Sequence, residues 1–414
     1  MTNAAADTTA ESTAAESTAP PAASFAILET ERPKKPQDMN AFLRAILAAT
    51  GSSVRFLPEW LKLYTGPGKL LFEEYLNLRL WDPEFYPRSE LKSFIGNWGM
   101  VKLWRAVNFI QESRALATHK LAAAAVLEAH GLSSPPLLGM HAAGAISGDK
   151  RTSTEKELED FLIHTLSYPA FGKPLQGLQS LGSISLDSVD AETGLISCAD
   201  GREVPAAALA KEIHDAYAKS GYIFQPRLVP HDDVRKVCGG RIATVRVVTI
   251  AMEDGPQVFR ASWKIPAGSN GADNFWRTGN ILAAIDLDTG TVTGAVSGAG
   301  LSMQEVEKHP DTGAALKGLK VPLWEEICKT ALAAAAAFPD FGLIGFDIAA
   351  TRDGPIVIEV NDTPDAPMVQ IAQRKGMLGP QMTAFVETRQ RAFAAWKAEQ
   401  KKIMRREYGP GTKK

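Results

Sequence analysis

Apolar residues recur along the chain with two different periods, and the change of period divides it. From Asn40 to about Arg114 they return at helical spacing, as in Phe42, Ile46 and Leu47 and again in Leu70, Leu71, Tyr75 and Leu78. That spacing predicts a helical region with Trp60, Trp81, Phe85, Tyr86, Trp98 and Trp104 as its aromatic core. His119-Lys120-Leu121 opens another helical run that stops at Gly131, and residues 133–136 turn the chain. Short β-like runs then alternate with helical ones. Strands are predicted over 137–140, 168–174, 183–186, 222–228, 244–252, 257–264 and 281–286, and from Leu343 and Ile356; helices over 206–220, 324–338 and 381–406. Turns such as Glu253-Asp254-Gly255 and Asp288-Thr289-Gly290 imply antiparallel neighbours, so the predicted class is α+β rather than a doubly wound parallel sheet.

The ends differ from the middle. Residues 1–24 are mostly Ala, Ser and Thr, too polar to offset chain entropy by burial, and with 25–38 they read as a disordered tail and linker. No Lys or Arg precedes Arg32 and no leucine-rich core is present, so the start resembles neither a secretory signal nor a transit peptide. No run approaches the roughly 18 apolar residues of a membrane span. A cytoplasmic protein is the expectation. The balance of 45 Lys plus Arg against 47 Asp plus Glu gives a net charge of -2, so no global basic field points to nucleic acid. Cys198, Cys238 and Cys328 suit neither a disulfide framework nor a paired-cysteine zinc site. The segment from Lys397 onward carries seven basic and two acidic residues, a solvated face on composition alone.

The strongest local pattern joins Gly345-Phe346-Asp347-Ile348 to Ile356-Val357-Ile358-Glu359-Val360-Asn361 through Asp353-Gly354, a hairpin turn. Strand alternation puts Glu359 and Asn361 on one face with Val357, and sends Ile356, Ile358 and Val360 into the core. If the register allows, Asp347 faces Glu359 or Asn361 across the ladder; a slip of one residue puts it on the other side. Two carboxylates that close repel unless a cation lies between them, and such oxygens suit Mg2+ bridging phosphates. A plain surface hairpin with polar residues facing water is the alternative reading.

Two further patterns carry chemistry. Lys173 ends a strand before a loop containing Gly177, Ser180, Gly182 and Ser183, where small residues would let backbone amides approach phosphate oxygens; an ordinary turn fits the same residues. It lacks the Gly-Lys-Ser/Thr ending of a P-loop. Arg246 lies within the apolar strand Thr244 to Thr249, a costly place for a guanidinium unless it meets an anion, either a ligand or a core aspartate. Lys264 and the run Asn270 to Asn274 add polar groups nearby. His119 and His214 read as structural, while His231 after Pro230 is a candidate contact to ribose.

In this order the motifs resemble an ATP-grasp domain, and within it the sugar-transfer-associated branch related to the α-L-glutamate ligases. Lys-Pro from Lys173, Gln-Pro from Gln225, Pro230-His231, Thr-Val-Arg ending at Arg246, Asp273-Asn274, Phe-Asp-Ile-Ala and Glu-Val-Asn carry the resemblance, which runs from about Leu70 to Leu378. It implies two α+β subdomains sandwiching a nucleotide, with an ATP-grasp domain over 116–378, a helical subdomain over 39–115 before it and a helix with a basic tail over 379–414 after it. It implies ATP phosphates on Lys120 and Lys173, a glycine loop over Gly177, Ser180, Gly182 and Ser183, and an adenine hinge over Gln225, Pro226, Arg227 and Leu228 with His231 nearby. Two Mg2+ (or Mn2+) would sit on Asp347, Glu359 and Asn361. Catalysis would fall to Arg246 and Lys173. Two departures from the family pattern stand on the acceptor side: Ala243 where Asn is expected, and Gly279-Asn280 where Gly-Gly is expected.

The activity implied is an ADP-forming carboxylate–amine or carboxylate–thiol ligase acting through an acylphosphate on an amino-acid or sugar-acid carboxylate. Phosphoryl transfer to a sugar or alcohol, or a non-catalytic ATP-binding partner of a glycan-assembly system, would use the same nucleotide site.

Overall fold

The computed structural model describes residues 27–28, 38–54, 56–144, 150–176, 181–268 and 270–409. Two seven-stranded sheets organise it. The first contains β1 (Gly139–His141), β2 (Arg151–Thr152), β3 (Ala170–Pro174), β4 (Ile184–Asp190), β5 (Leu195–Cys198), β6 (Glu203–Pro205) and β7 (Tyr222–Pro226), in the order β2-β1-β7-β3-β4-β5-β6. Only β1 with β2 runs parallel among its described pairings. Helices Glu155–His164 and Ala206–Tyr217 bury Leu158, Leu162, Leu209 and Ile213 against Leu186, Ile196, Tyr222 and Phe224 of this sheet. Thr154 and Glu157 cap the first helix reciprocally, satisfying amides that its opening turn leaves over.

The second sheet contains β8 (Thr244–Met252), β9 (Gly255–Ile265), β10 (Ile281–Ile285), β11 (Val292–Ser297), β12 (Gln304–Glu305), β13 (Leu343–Thr351) and β14 (Gly354–Asn361), in the order β12-β11-β10-β9-β8-β13-β14, and its described pairings are antiparallel. Alternation gives it two different faces. Val245, Val247, Trp263, Phe346 and Ile348 pack under helix Trp324–Ala337, where the alanines at 331 and 334 let the helix lie close. On the opposite face Val248, Ile250 and Leu343 are covered by Met100, Val107, Val369 and Phe385 from helices Asn97–Val107, Ala366–Gln373 and Pro380–Tyr408. Further along that face Leu282 and Val296 meet the N-terminal helices, and the polar side chains of Arg246, Lys264 and Asp347 occupy the stretch between.

Helices Met39–Thr50, Phe56–Thr65 and Phe72–Asn77 form an aromatic-rich core with Phe42, Tyr75, Trp81 and Tyr86, which also receives Phe275, Leu282 and Val296 from the second sheet and its loops. Trp98 departs from the expected core role: it is 71% exposed. Helix Asn97–Val107 turns Met100, Trp104 and Val107 inward, and at 3.6 residues per turn that sends position 98 outward. Asn108 fastens this helix to the sheet. Its Oδ1 accepts from the Gly342 and Leu343 amides at 2.7 and 2.8 Å, and its Nδ2 donates to the Leu343 carbonyl at 2.8 Å.

Candidate active site

The hairpin of β13 and β14 turns through Arg352-Asp353, with Thr351 paired to Gly354 and Ile348 to Val357. Continued evenly, that register would oppose Asp347 to Ile358. Instead Asp347 pairs with Glu359 and Gly345 with Asn361, so Ile358 is an extra residue on the outer strand, a β-bulge. The bulge changes the side assignment. Val357 and Val360 both enter the core, whereas Ile356 and Ile358, expected inside, are half-buried. Simple alternation fails here because one added residue exchanges the two faces.

One rung of the sheet then carries four polar residues in line: Ser262 on β9, Arg246 on β8, Asp347 on β13 and Glu359 on β14. Arg246 grips Asp347 with two arms; Nη2 donates to Oδ2 at 2.8 Å and Nε to Oδ1. Lys264, paired with Thr244 one step along the sheet, donates to the same Oδ2 at 2.8 Å and reaches Asp273 Oδ1 at 3.5 Å. Asp273 in turn accepts the Thr244 amide at 2.7 Å. Asp347, Arg246 and Lys264 are all buried.

Burial alone would raise the Asp347 carboxyl, but the adjacent Arg246 and Lys264 outweigh it and hold the group well below the usual carboxylate range. Burial likewise opposes charge on Arg246 and Lys264, and the carboxylates around them reverse the effect, raising both. Three charges are thereby fixed in place. Of the candidate residues, Lys264 was the one whose role the sequence left unassigned. A lysine inside the apolar run Ala261 to Ile265 is the same signal that singled out Arg246.

A second group of predicted residues lines a narrow cleft between the sheets. Lys173 from β3, Gln225 from β7, Lys120 at the start of helix Lys120–Ala129, and Glu359 from β14 meet there, with Leu127 and Pro135 as apolar walls. Gln225 Nε2 donates to the Pro135 carbonyl at 3.0 Å, which anchors the end of β7. Lys120 Nζ lies 3.4 Å from Glu359 Oε1 and 3.4 Å from the Leu175 carbonyl. Lys173 is half-buried by area but densely surrounded; burial, with the Lys120 charge adding to it, lowers its ammonium from 10.5 to about 8, although Glu359 pulls the other way. Glu359 belongs to both groups, opposing Asp347 across the ladder and Lys120 across the cleft.

The other predicted contacts fall less centrally. Pro226 closes β7, while Arg227 is ion-paired to Asp187 and Leu228 follows in a half-buried loop. His231 caps helix Asp232–Cys238, its Nδ1 accepting the Asp233 amide at 3.2 Å. Gly182 has a left-handed φ of 71°, and its carbonyl accepts the Tyr222 hydroxyl at 2.7 Å, with Ser183 next to it before β4. Gly177 and Ser180 lie outside the described residues. His119 caps helix Lys120–Ala129 and His214 Nδ1 meets His141 Nε2 at 2.9 Å, both structural arrangements. Of the two departures, Ala243 is packed in the core, and Asn280, wholly buried, stitches the loop before β10 by accepting from Ala267 and donating to the Ala272 and Asn274 carbonyls.

The donor set suits a magnesium ion shared with phosphates. Among the described residues no group of three His, Cys, Asp or Glu converges, so an all-protein cage is not formed. Mg2+ commonly uses one or two carboxylates plus phosphate oxygens and water. Three donors already occupy Asp347, which leaves roughly one of a carboxylate's four lone-pair positions. Glu359 is more open, and Asn361 Nδ2 and Ser262 Oγ are buried polar atoms without hydrogen-bond partners among the described residues. Both can donate to the oxygens of a bound ligand, whereas a metal ion would need the Asn361 carbonyl oxygen.

The sequence model of the sugar-transfer associated ATP-grasp family matches residues 110–384, more than half of the chain. The chain belongs to this family. Its two α+β sheets with the lysine-lined cleft between them are the ATP-grasp architecture. No curated protein matches the sequence. Solved structures similar to this ATP-grasp chain include an L-amino acid ligase from Bacillus licheniformis, with 14% identity, 65% of this chain and 48% of that chain covered, and a TM-score of 0.36. D-alanine–D-alanine ligases from Coxiella burnetii (11% identity, 70% and 63% covered, TM-score 0.39) and Bacillus anthracis (14%, 68% and 70%, 0.38) are also similar. The chain spans about half the length of the L-amino acid ligase that it matches.

Proposed function

We propose that this protein is an ATP- and Mg2+-dependent ligase that joins a carboxylate to an amine or thiol through an acylphosphate. The observation that carries the reading is the double position of Glu359, in one cleft with Lys120 and Lys173 and on one rung with Asp347 and Arg246. In the cleft Lys120 and Lys173 face a single carboxylate, Glu359, a local positive excess that favours a polyphosphate.

In the first step a substrate carboxylate oxygen attacks the γ-phosphorus of ATP, ADP leaves, and a mixed carboxylic–phosphoric anhydride forms. In the second an amine or thiol attacks its carbonyl carbon and phosphate leaves. Positioning and charge neutralisation carry the phosphoryl step. Lys120 and Lys173 hold ATP phosphates, Gln225, Pro226, Arg227 and Leu228 border the base, and Arg246, whose guanidinium retains donors beyond the two given to Asp347, stabilises the acylphosphate. Asp347, Glu359 and Asn361 would hold Mg2+, which neutralises charge on the transferring phosphoryl group. The buried Asn280 holds the loop carrying Asp273 and Asn274, on the side where the acceptor would enter.

The test is ADP release from Mg-ATP across amino acids, sugar acids and amines, with hydroxylamine present. Hydroxamate formation is the expected result. A phosphorylated sugar or alcohol without hydroxamate would assign a phosphotransferase, and ATP binding with no ADP from any acceptor would assign a non-catalytic partner; either overturns the ligase.

A further inference from the structure

Helices Phe56–Thr65 and Asn97–Val107 each present a stripe that the fold does not cover. On the first, Leu57, Leu61 and Tyr64 recur at helical spacing with 45%, 52% and 44% exposure; on the second, Trp98 and Val101 are 71% and 44% exposed. The loop after the first helix is joined to the start of the second. The Gly96 amide donates to the Gly68 carbonyl at 2.8 Å, just past the end of the first helix, and a side chain on Gly99 would stand 2.3 Å from that carbonyl oxygen.

The charge on this surface has one sign. Lys62, Lys102 and Arg105 are exposed and form no ion pair among the described residues. The first helix has one acid, Glu59, already engaged by Arg88 and by the Tyr75 hydroxyl, each at 2.7 Å; the second helix has none. Helix Pro380–Tyr408 meets the far end of the second helix, with Arg389 Nε on the Val107 carbonyl at 2.9 Å.

We propose that this two-helix face docks on an anionic lipid surface. Exposed Trp and Tyr beside Leu and Val, rimmed by lysine and arginine, match the boundary between acyl chains and negatively charged headgroups. A second copy of the chain fits poorly, because a two-fold contact would bring the same cations face to face. The docking helix also touches the site from its inner side: Trp104 Nε1 donates to the Asp362 carbonyl at 2.6 Å, one residue beyond Asn361. Adsorption through Trp98 therefore brings the end of β14 close to the lipid boundary. The inference stands independently of the ligase reading.

Flotation of the full chain with phosphatidylcholine vesicles, alone or containing phosphatidylglycerol, tests it. Binding is expected only with phosphatidylglycerol and is weakened by salt. Trp98→Ala and the double variant Lys102→Glu/Arg105→Glu, all at exposed positions, should each lower partitioning by at least about tenfold with the melting temperature unchanged. Three results would overturn it: no binding to phosphatidylglycerol vesicles; equal binding by the variants, including equal capture of polyglutamate without dependence on Trp98; or a dimer in sedimentation that Trp98→Ala dissociates.

Discussion

Arg246 and Asp347 face each other across one rung of the second sheet, and the guanidinium holds both carboxylate oxygens. Both side chains are buried, so neither can turn to water when its partner is removed. Asp347→Ala strips both buried cations of this carboxylate and should cost about 3–5 kcal/mol, whereas Arg246→Ala should cost less because Lys264 still pairs with Asp347. The double variant Arg246→Ala/Asp347→Ala should cost less than the sum of the two single changes. Denaturant unfolding of the four proteins measures the coupling, and additivity within about 0.5 kcal/mol would show the pair to be energetically independent.

Arg246 also separates stability from chemistry. Assayed below its unfolding temperature, Arg246→Ala should lower turnover by roughly a hundredfold to a thousandfold, with ATP affinity nearly intact. A comparable loss of nucleotide binding, read by calorimetry, would remove Arg246 from the acylphosphate.

Glu359 stands where the cleft meets the carboxylate rung. Glu359→Gln preserves its size and a hydrogen-bonding oxygen for Lys120 while removing the charge that a divalent ion needs. The expected result is retained folding, with the Mg2+-dependent part of ATP binding reduced by at least about tenfold. Calorimetric titration of ATP with and without Mg2+ distinguishes this from a general loss of the site; an unchanged Mg2+ increment would exclude Glu359 as a ligand.

Lys173 gives a pH signature with a defined sign. Its folded-state pKa of about 8 lies below the ordinary 10.5, chiefly through burial. Between those values the unfolded chain holds a proton that the folded chain has released, so this group makes stability rise with pH across that window. Phosphate binding runs the opposite way: it requires the ammonium and should weaken as pH rises through about 8. Lys173→Met should flatten both profiles, measured by melting temperature and by ATP titration over the same pH range. A mutant whose ATP affinity still falls through pH 8 would place that titration elsewhere.

Asn108 offers a test away from charge. Its three hydrogen bonds tie the end of helix Asn97–Val107 to the start of β13. Asn108→Ala leaves those buried backbone groups unsatisfied and should cost about 2–4 kcal/mol. Asn108→Asp keeps the accepting oxygen but loses the donation to the Leu343 carbonyl, so thermal unfolding should rank it between wild type and alanine.

Much of this arrangement was written in local pattern. Asp-Gly between apolar runs located the hairpin, and the position of Arg246 amid valines marked a buried charge whose partner, Asp347, lay a hundred residues away. What local pattern lacks is pairing. Lys264 joins the site because β9 aligns it with Thr244, a long-range register that no short window contains. Strands β5 and β6 carry no sequence signal, because they mix exposed and buried residues over only a few positions, as with Leu195 and Glu203, and present no sustained period. Trp98 misled for a different reason: aromatic residues are usually buried, and composition cannot tell which side of a helix will be covered.

The extra residue at Ile358 restricts how this hairpin can vary. Its tip can lengthen or shorten by matched pairs, one residue per strand, and the acidic rung keeps its alignment. A single insertion or deletion between Asp347 and Glu359 would turn one acid toward the valines and lift a valine into the cleft. Descendants of this sequence are therefore free to drift in the loop's chemistry but confined in its parity.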